Sequence, residues 1–270
     1  MNVAVVGHVE WCEFLRVEEL PPPGGIVHAH ERWEEPGGGG TVAAAQLARL
    51  AGSCAFYTGL GRDELGKRTR ARLEALGIEV HTATTREPTR RAIVHVDAAG
   101  ERTITVIGRK LVPRGGTAGL PWHELARADA VFFVSGDVEA LRSARTARTL
   151  VATPRELETL RLAGVELDAL VGSGDDDGER YRPGDLDPPP RLVVATAGPL
   201  GGWAQPGGPY RAVPPPGPLE DAYGCGDSFA AGLTFGLAEG RELDDALALA
   251  AACGAEALTR RGALGRDVAA

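Results

Sequence analysis

Lysine is nearly missing from this chain of 270 residues: of its 29 basic residues only Lys67 and Lys110 are lysine, and 37 acidic residues leave a formal charge of −8. That balance excludes a general nucleic-acid scaffold, because binding to a phosphate backbone is driven by clustered Lys and Arg that release counterions. Small anionic ligands remain open, since they need only a local site. Cysteine is scarce too. Cys12, Cys54, Cys225 and Cys253 form neither a C-x-x-C pair nor a zinc spacing, in a chain too long to need disulfide staples, so a reducing cytoplasm is expected. The opening MNVAVVGHVEW has no basic leader region and no long apolar segment, which argues against a signal peptide and a membrane span. What the chain does have is 43% hydrophobic residues, enough for one large domain with a substantial core.

Short apolar runs alternate with helical stretches, the pattern of an α/β protein with a largely parallel sheet. The strands read at Val3–Val6, Cys54–Thr58, Ala130–Ser135 and Arg191–Thr196 are apolar throughout, as strands covered on both faces are. Ala92–Asp97, AAGE and Arg102–Ile107 read as a hairpin. Helices are expected over Val42–Leu50, Asp63–Leu76, Val138–Thr149, Ser228–Glu239 and Leu243–Thr259. Three Pro-rich segments, at Pro21, Pro188 and Pro214, read as rigid turns within one unit, residues 1–270. The polar stretches of Glu10–Glu35 suggest a small antiparallel flap, a lid completed by the 92–107 hairpin.

The stretch DAYGCGDSFAAGL, Asp221–Leu233, carries the chemistry. Gly224 and Gly226 permit a tight turn at a helix start, where unpaired N–H groups and the positive helix end favour an anion. Asp227 then falls in the first helical turn, positioned either to accept the proton of a hydroxyl beside that anion or merely to cap the helix. The Cys225 thiol shares the helix start, a setting that favours thiolate unless the side chain packs inward. A second glycine cluster, PGGGGTVAAAQLARLAG from Pro36, also leads into a helix. Gly59, Gly61, Asp63 and Gly66 follow in TGLGRDELG.

With these segments in this order, the chain resembles the ribokinase-like, or PfkB-type, carbohydrate kinases across nearly its whole length. The GG-led helix, the G-x-x-G-x-D-x-x-G-like segment and DAYGCGD, against the family's D-T-x-G-A-G-D, carry the likeness, with VDAAGERT and VVATAGPLGGW between them. The resemblance implies a three-layer α/β fold with a β-flap lid and transfer of the ATP γ-phosphoryl group to a hydroxyl of a sugar, sugar acid or nucleoside. It implies Asp227 as catalytic base, the amides of Gly224, Cys225 and Gly226 as anion hole, and Thr196, Gly198, Gly201, Gly202 and Asp221 beside the nucleotide. Glu10, Glu13, Gly37 and Gly38 would border the acceptor. ATP and Mg²⁺ are the implied cofactors, with a monovalent cation as an additional candidate, and a homodimer through the lid is the implied assembly.

Four departures bear on the carry-over. Ala222 and Cys225 replace the family's Thr and Ala, the expected Asn is absent where Thr41 and Val42 stand, and Ser173 and Asp176 occupy the N-x-x-E positions. Asp176, within the acidic run Asp175–Asp177, is the metal candidate, with a solvated loop as the alternative. His28 and His30 lack a third ligand for a metal. Arg90 and Arg91 either meet an anionic substrate or solvate a strand end, and Trp11 and Trp33 either stack on substrate or pack the flap. A noncatalytic binding member of the same fold is the first competing reading, which the retained Asp227 opposes. The second is a dinucleotide oxidoreductase, opposed because only Gly7 of the required G-x-G-x-x-G follows the first strand.

Overall fold

The computed structural model describes residues 1–117 and 119–265, so the last residues of the expected 1–270 unit lie outside the described part. Its backbone is a three-layer α/β arrangement. The central nine-stranded sheet contains β1 (Val3–Val6), β4 (Cys54–Gly61), β5 (Ile78–Thr85), β8 (Ala130–Phe133), β9 (Thr149–Ala152), β10 (Ala169–Ser173), β11 (Val193–Thr196), β12 (Gly202–Gln205) and β13 (Gly208–Tyr210), in the order β13-β12-β11-β10-β9-β8-β1-β4-β5. Every neighbour pair from β11 to β5 is parallel, and β12 and β13 close one edge antiparallel.

Strand β1 shows why the apolar runs are continuous. Val3 and Val5 join a core with α1 (Gly39–Ala51), α5 (Cys225–Ala238) and α6 (Leu243–Ala257), whereas Ala4 and Val6 join a second core with α3 (Val138–Ala144) and α4 (Leu157–Ala163). Alternate side chains point to opposite faces, so a strand covered on both sides must be apolar at every position. Helix α3 stops at Ala144, well short of the expected Thr149. Ser143 Oγ donates to Glu139 O, Thr146 Oγ1 donates to Ser143 O and Arg145 caps the Ala147 and Arg148 carbonyls, which turns the chain so that Thr149–Ala152 pairs as β9.

A second, four-stranded sheet stands beside the first, in the order β3-β2-β6-β7, built from β2 (Glu10–Arg16), β3 (Glu31–Gly37), β6 (Arg91–Val96) and β7 (Arg102–Ile107). The Glu10–Glu35 stretches and the 92–107 hairpin are therefore one sheet. Cys12, Phe14, Ala92, Val94 and Val96 form its buried face, where Phe14 stacks on Trp33 at 4.8 Å and meets Tyr223 edge-on at 5.0 Å. Both tryptophans pack the flap: Trp33 lies under Arg261, and buried Trp11 lies under Arg68 and bonds Glu34.

The Gly59–Gly66 segment is a structural knot. Asp63 caps α2 (Glu64–Glu74), accepting from Gly66 N at 2.9 Å, Thr89 N at 2.7 Å and the Thr89 hydroxyl at 2.6 Å, while Thr89 Oγ1 accepts from Gly61 N. Burial pushes the Asp63 pKa up, but the Thr89 hydroxyl and the Gly66 and Thr89 amides outweigh it, leaving the group below the ordinary value of 3.8. Asp63→Ala should cost about 1–2 kcal/mol, the usual worth of an N-cap, or more because Thr89 is buried. Because the folded pKa is depressed, that stabilisation is present above the unfolded value and lost as pH falls through the folded one. Thermal melts should show a lower Tm for the variant at pH 7 and a narrowing gap below pH 4; equal melting temperatures at pH 7 would remove the knot from the stability of the fold.

Candidate active site

The chain runs outward on both sides of β1, toward β4-β5 in one direction and β8-β9-β10-β11 in the other, so the carboxyl ends of β1 and β8 border a switch point. Open α/β sheets bind ligands in such crevices. His8 follows β1 and Ser135 follows β8, and His8 Nδ1 lies 3.0 Å from Ser135 Oγ. Burial, then Lys110, Arg90 and Arg155, push the His8 pKa down to about 3, so the imidazole is neutral.

Two helices start at this crevice. At α1, Gly38 has φ 84 and its N–H donates to the buried Tyr223 hydroxyl at 2.8 Å, and a Cβ on Gly39 would stand 2.7 Å from Asp227 Oδ1. At α5, Gly224 has φ 72, and a Cβ there would stand 2.7 Å from Val42. Only glycine gives both helix starts their turn and their mutual approach. The first intrahelical bond of α5 is Ser228 N to Gly224 O, leaving the earlier amides unused by the helix, and Gly226 is exposed with open space around it.

Asp227 lies half-buried in this first turn. Burial first, then the charge of Glu179, raise its pKa to about 6, against the opposing pull of Arg102 and Arg155; Glu10 adds to the rise. Glu10 is buried, its Oε1 lies 3.1 Å from Arg90 Nη1, and a Cβ on Gly38 would stand 3.3 Å from its Cγ. Asp227, Glu10, Gly37 and Gly38 are thus brought together. Glu13 is not: it points to the other face of the flap, paired with Arg32 and Arg91.

Asp221 is committed within the chain. It is buried, and its two oxygens accept from Tyr223 N at 2.9 Å and Gly262 N at 2.7 Å, which staples the loop before α5 to the C-terminal segment. Thr196 pairs with Gly202 between β11 and β12; the side-chain spaces of Gly201 and Gly202 are filled by Tyr210 and Ala195, whereas Gly198 faces open space. Asp176 is held by Arg155 and by Gly178 N. Glu179 pairs with Arg155 Nε at 2.6 Å and accepts from Ser173 N at 2.6 Å. Burial pushes the Cys225 thiol up rather than down, so the thiolate expected from its helix-start position is not favoured. Val42 packs on Gly224, and His28 and His30 are exposed.

His8, Gly39, Ser135, Tyr223 and Glu179 were not singled out as site residues from sequence. The first and third could have been found from the switch-point rule, since each lies two residues beyond the end of a continuous apolar strand, β1 or β8. Tyr223 occupies the variable position of the glycine motif and carries no signal of its own.

The model of the pfkB family of carbohydrate kinases matches residues 1–158 and 151–267, and the chain belongs to that family. It is a carbohydrate kinase, and its relatives divide by acceptor. The ATP-dependent ribose-1-phosphate kinase of Halopiger xanaduensis is 28% identical over 97% of this chain and 94% of its own. Among solved structures, the Arabidopsis thaliana ribokinase complexed with ribose and ATP superposes with a TM-score of 0.73 at 20% identity, covering 97% of this chain and 94% of that one. The adenosine kinase of Sinorhizobium meliloti gives 0.75 at 18%, covering 97% and 95%. These likenesses carry the fold.

The raised Asp227 pKa has a measurable sign. The folded chain binds that proton more tightly than the unfolded chain, so stability falls as pH rises from about 4 to about 6, and above that the ionised, desolvated carboxylate is a standing cost. Asp227→Asn should therefore raise Tm at pH 8 and leave it nearly unchanged at pH 4. A lower Tm at pH 8 would show that the carboxylate stabilises the fold.

Proposed function

We propose that the protein transfers the γ-phosphoryl group of ATP to a hydroxyl of a sugar, sugar acid or nucleoside, with Asp227 as general base and the α5 start as anion hole. The position of Asp227 carries this reading: a carboxylate beside unused helix amides, within reach of the Gly38–Gly39 turn that borders the acceptor side. A pKa near 6 keeps it ionised at neutral pH yet basic enough to take a proton in the transition state.

As the acceptor oxygen bonds to the γ-phosphorus, the bond from phosphorus to the β–γ bridging oxygen breaks and ADP leaves, while the acceptor proton passes to Asp227. The Gly224, Cys225 and Gly226 amides stabilise the charge on the phosphoryl oxygens. The acceptor hydroxyls bond Glu10, with His8 and Ser135 completing the wall. The nucleotide lies along Thr196, Gly198, Gly201 and Gly202. A protein that only binds would gain nothing from a desolvated carboxylate at this point.

Among the described residues no three His, Cys, Asp or Glu side chains are grouped to hold a metal by themselves. That suits Mg²⁺, which binds through one or two carboxylates, waters and substrate phosphates and would there neutralise charge on the transferring group. Glu179 and Asp176 are the carboxylates that fit. A monovalent cation beside Asp221 would offset the burial of a carboxylate whose hydrogen-bond partners are two amides.

Asp227→Asn should reduce kcat by at least a thousandfold while ATP binding, followed by calorimetry, stays within a few-fold. In the parent protein kcat/KM should fall as pH drops through about 6, because the base must be ionised. Near-normal turnover by the Asn variant would take Asp227 out of the mechanism.

The reading includes assembly through the flap. All six residues of β7 are exposed on the sheet edge, Ile104, Val106 and Ile107 among them, and two flaps would cover such a strand by pairing. Sedimentation at micromolar concentration should give a dimer that Ile104→Lys converts to monomer; a monomeric parent protein would end this part of the reading.

A further inference from the structure

Tyr223 stands at the variable position of the glycine motif, directly before Gly224, and its side chain does more than fill space. It is buried, and its ring meets Phe14 edge-on. Its backbone N–H is tied to Asp221, which fixes the residue to the loop before α5. Its hydroxyl, however, accepts from Gly38 N at 2.8 Å, across 185 residues of chain, at the start of the facing helix. Cys12 Sγ lies 3.4 Å from the same oxygen, and a Cβ on Gly37 would strike both atoms, at 2.5 and 2.7 Å. The Gly38 N–H is therefore used inside the protein, and what it fixes is position.

Position matters because of what adjoins this turn. A Cβ on Gly38 would stand 3.3 Å from Glu10 Cγ and 3.4 Å from His8 Cδ2, and one on Gly39 would stand 2.7 Å from Asp227 Oδ1. The turn thus lies against the acceptor wall on one side and the base on the other. Gly224 against Val42 limits how near α5 can come to α1, but a steric contact forbids only approach. A hydrogen bond also forbids retreat. We propose that Tyr223 is a positioning residue: its hydroxyl fixes the distance between the acceptor wall at Gly38 and the loop that leads into the α5 amides, and so holds Asp227 against the Gly39 turn. The proposal rests on the kinase reading and adds to it a residue that touches neither reactant.

Tyr223→Phe is the direct test, since it keeps the ring on Phe14 and deletes only the oxygen. Lost alignment shows in turnover and not in binding. On the best acceptor of a panel of pentoses, hexoses and nucleosides, kcat should fall about tenfold or more, while KM for ATP and for that acceptor change less than about threefold. Phe14→Leu is the control for packing: it should lower Tm at least as much as Tyr223→Phe, yet leave kcat within about twofold. A second readout needs no turnover. Glu179, Arg102, Arg155 and Glu10 bear on Asp227 from other segments, and Tyr223→Phe alters none of them, so it reaches the carboxylate only through the α1 start. When that start relaxes, water returns to Asp227, and the rise in Tm at pH 8 brought by Asp227→Asn should shrink to about half or less in the Tyr223→Phe background. Such shrinkage in a protein that transfers no phosphoryl group would uphold the positioning while refuting the kinase reading. Normal kcat in Tyr223→Phe, with the full gain from Asp227→Asn retained there, would overturn the proposal and leave the kinase reading intact.

Discussion

Two helices begin at one place, and everything at the site depends on how closely they do so. A side chain on Gly39 would collide with Asp227, and one on Gly224 would collide with Val42 of the facing helix. Neither helix start can move without the other. The consequence is a small volume where two sets of backbone amides and one carboxylate converge, held by sterics together with the Tyr223 and Asp221 hydrogen bonds. Such a site is rigid before any ligand arrives, which is the condition under which fixed dipoles stabilise developing charge.

The electrostatics follow from that crowding. Asp227 loses water because the helices approach, and the charges of Glu179 and Glu10 add to the effect, so its pKa rises; His8 loses water beside cations, so its pKa falls. One crevice thus holds a carboxylate near the basicity of a working base and an imidazole that stays neutral. Both shifts are products of burial first and neighbours second. A change in packing, such as a smaller residue at Val42, would reach the chemistry without touching a charged group.

The parallel sheet, the flap and the glycine-led helices were legible because each follows from a local pattern: unbroken apolar runs, alternation, and glycine before helical periodicity. Boundaries set by side-chain capping were not, as α3 shows, where Ser143, Arg145 and Thr146 end a helix whose periodicity continues. At the crevice, the juxtaposition of Asp227 and Glu10 follows from a helix start and the start of β2, both readable in the local pattern. Glu10 and Glu13 stand three positions apart on β2, so alternation of the strand sends them to opposite faces, Glu10 toward Arg90 and Glu13 toward Arg32. Asp221 also accepts from the amides of Tyr223 and the distant Gly262, a role within the chain that its place in the motif does not announce. Contacts between residues far apart in the chain, of which Tyr223 to Gly38 is the most consequential, leave no trace in either local sequence.

That last contact decides how the flap can behave. Phe14 on its inner face rests on the Tyr223 ring, and the hydroxyl of the same tyrosine holds Gly38, while Glu35 at the end of β3 accepts from the Ala263 amide beside the stapled loop. The flap is therefore not a door: its root is clamped to the loop before α5 and to the α1 start, and strand β7 is its exposed edge. The hairpin of β6 and β7 is tied to the same root, since Ala222 N donates to Gly100 O at 2.9 Å in the turn between them. Swinging the whole sheet would therefore pull at once on the Gly224 loop and on the α1 start, so the flap and the two helix starts behave as one body.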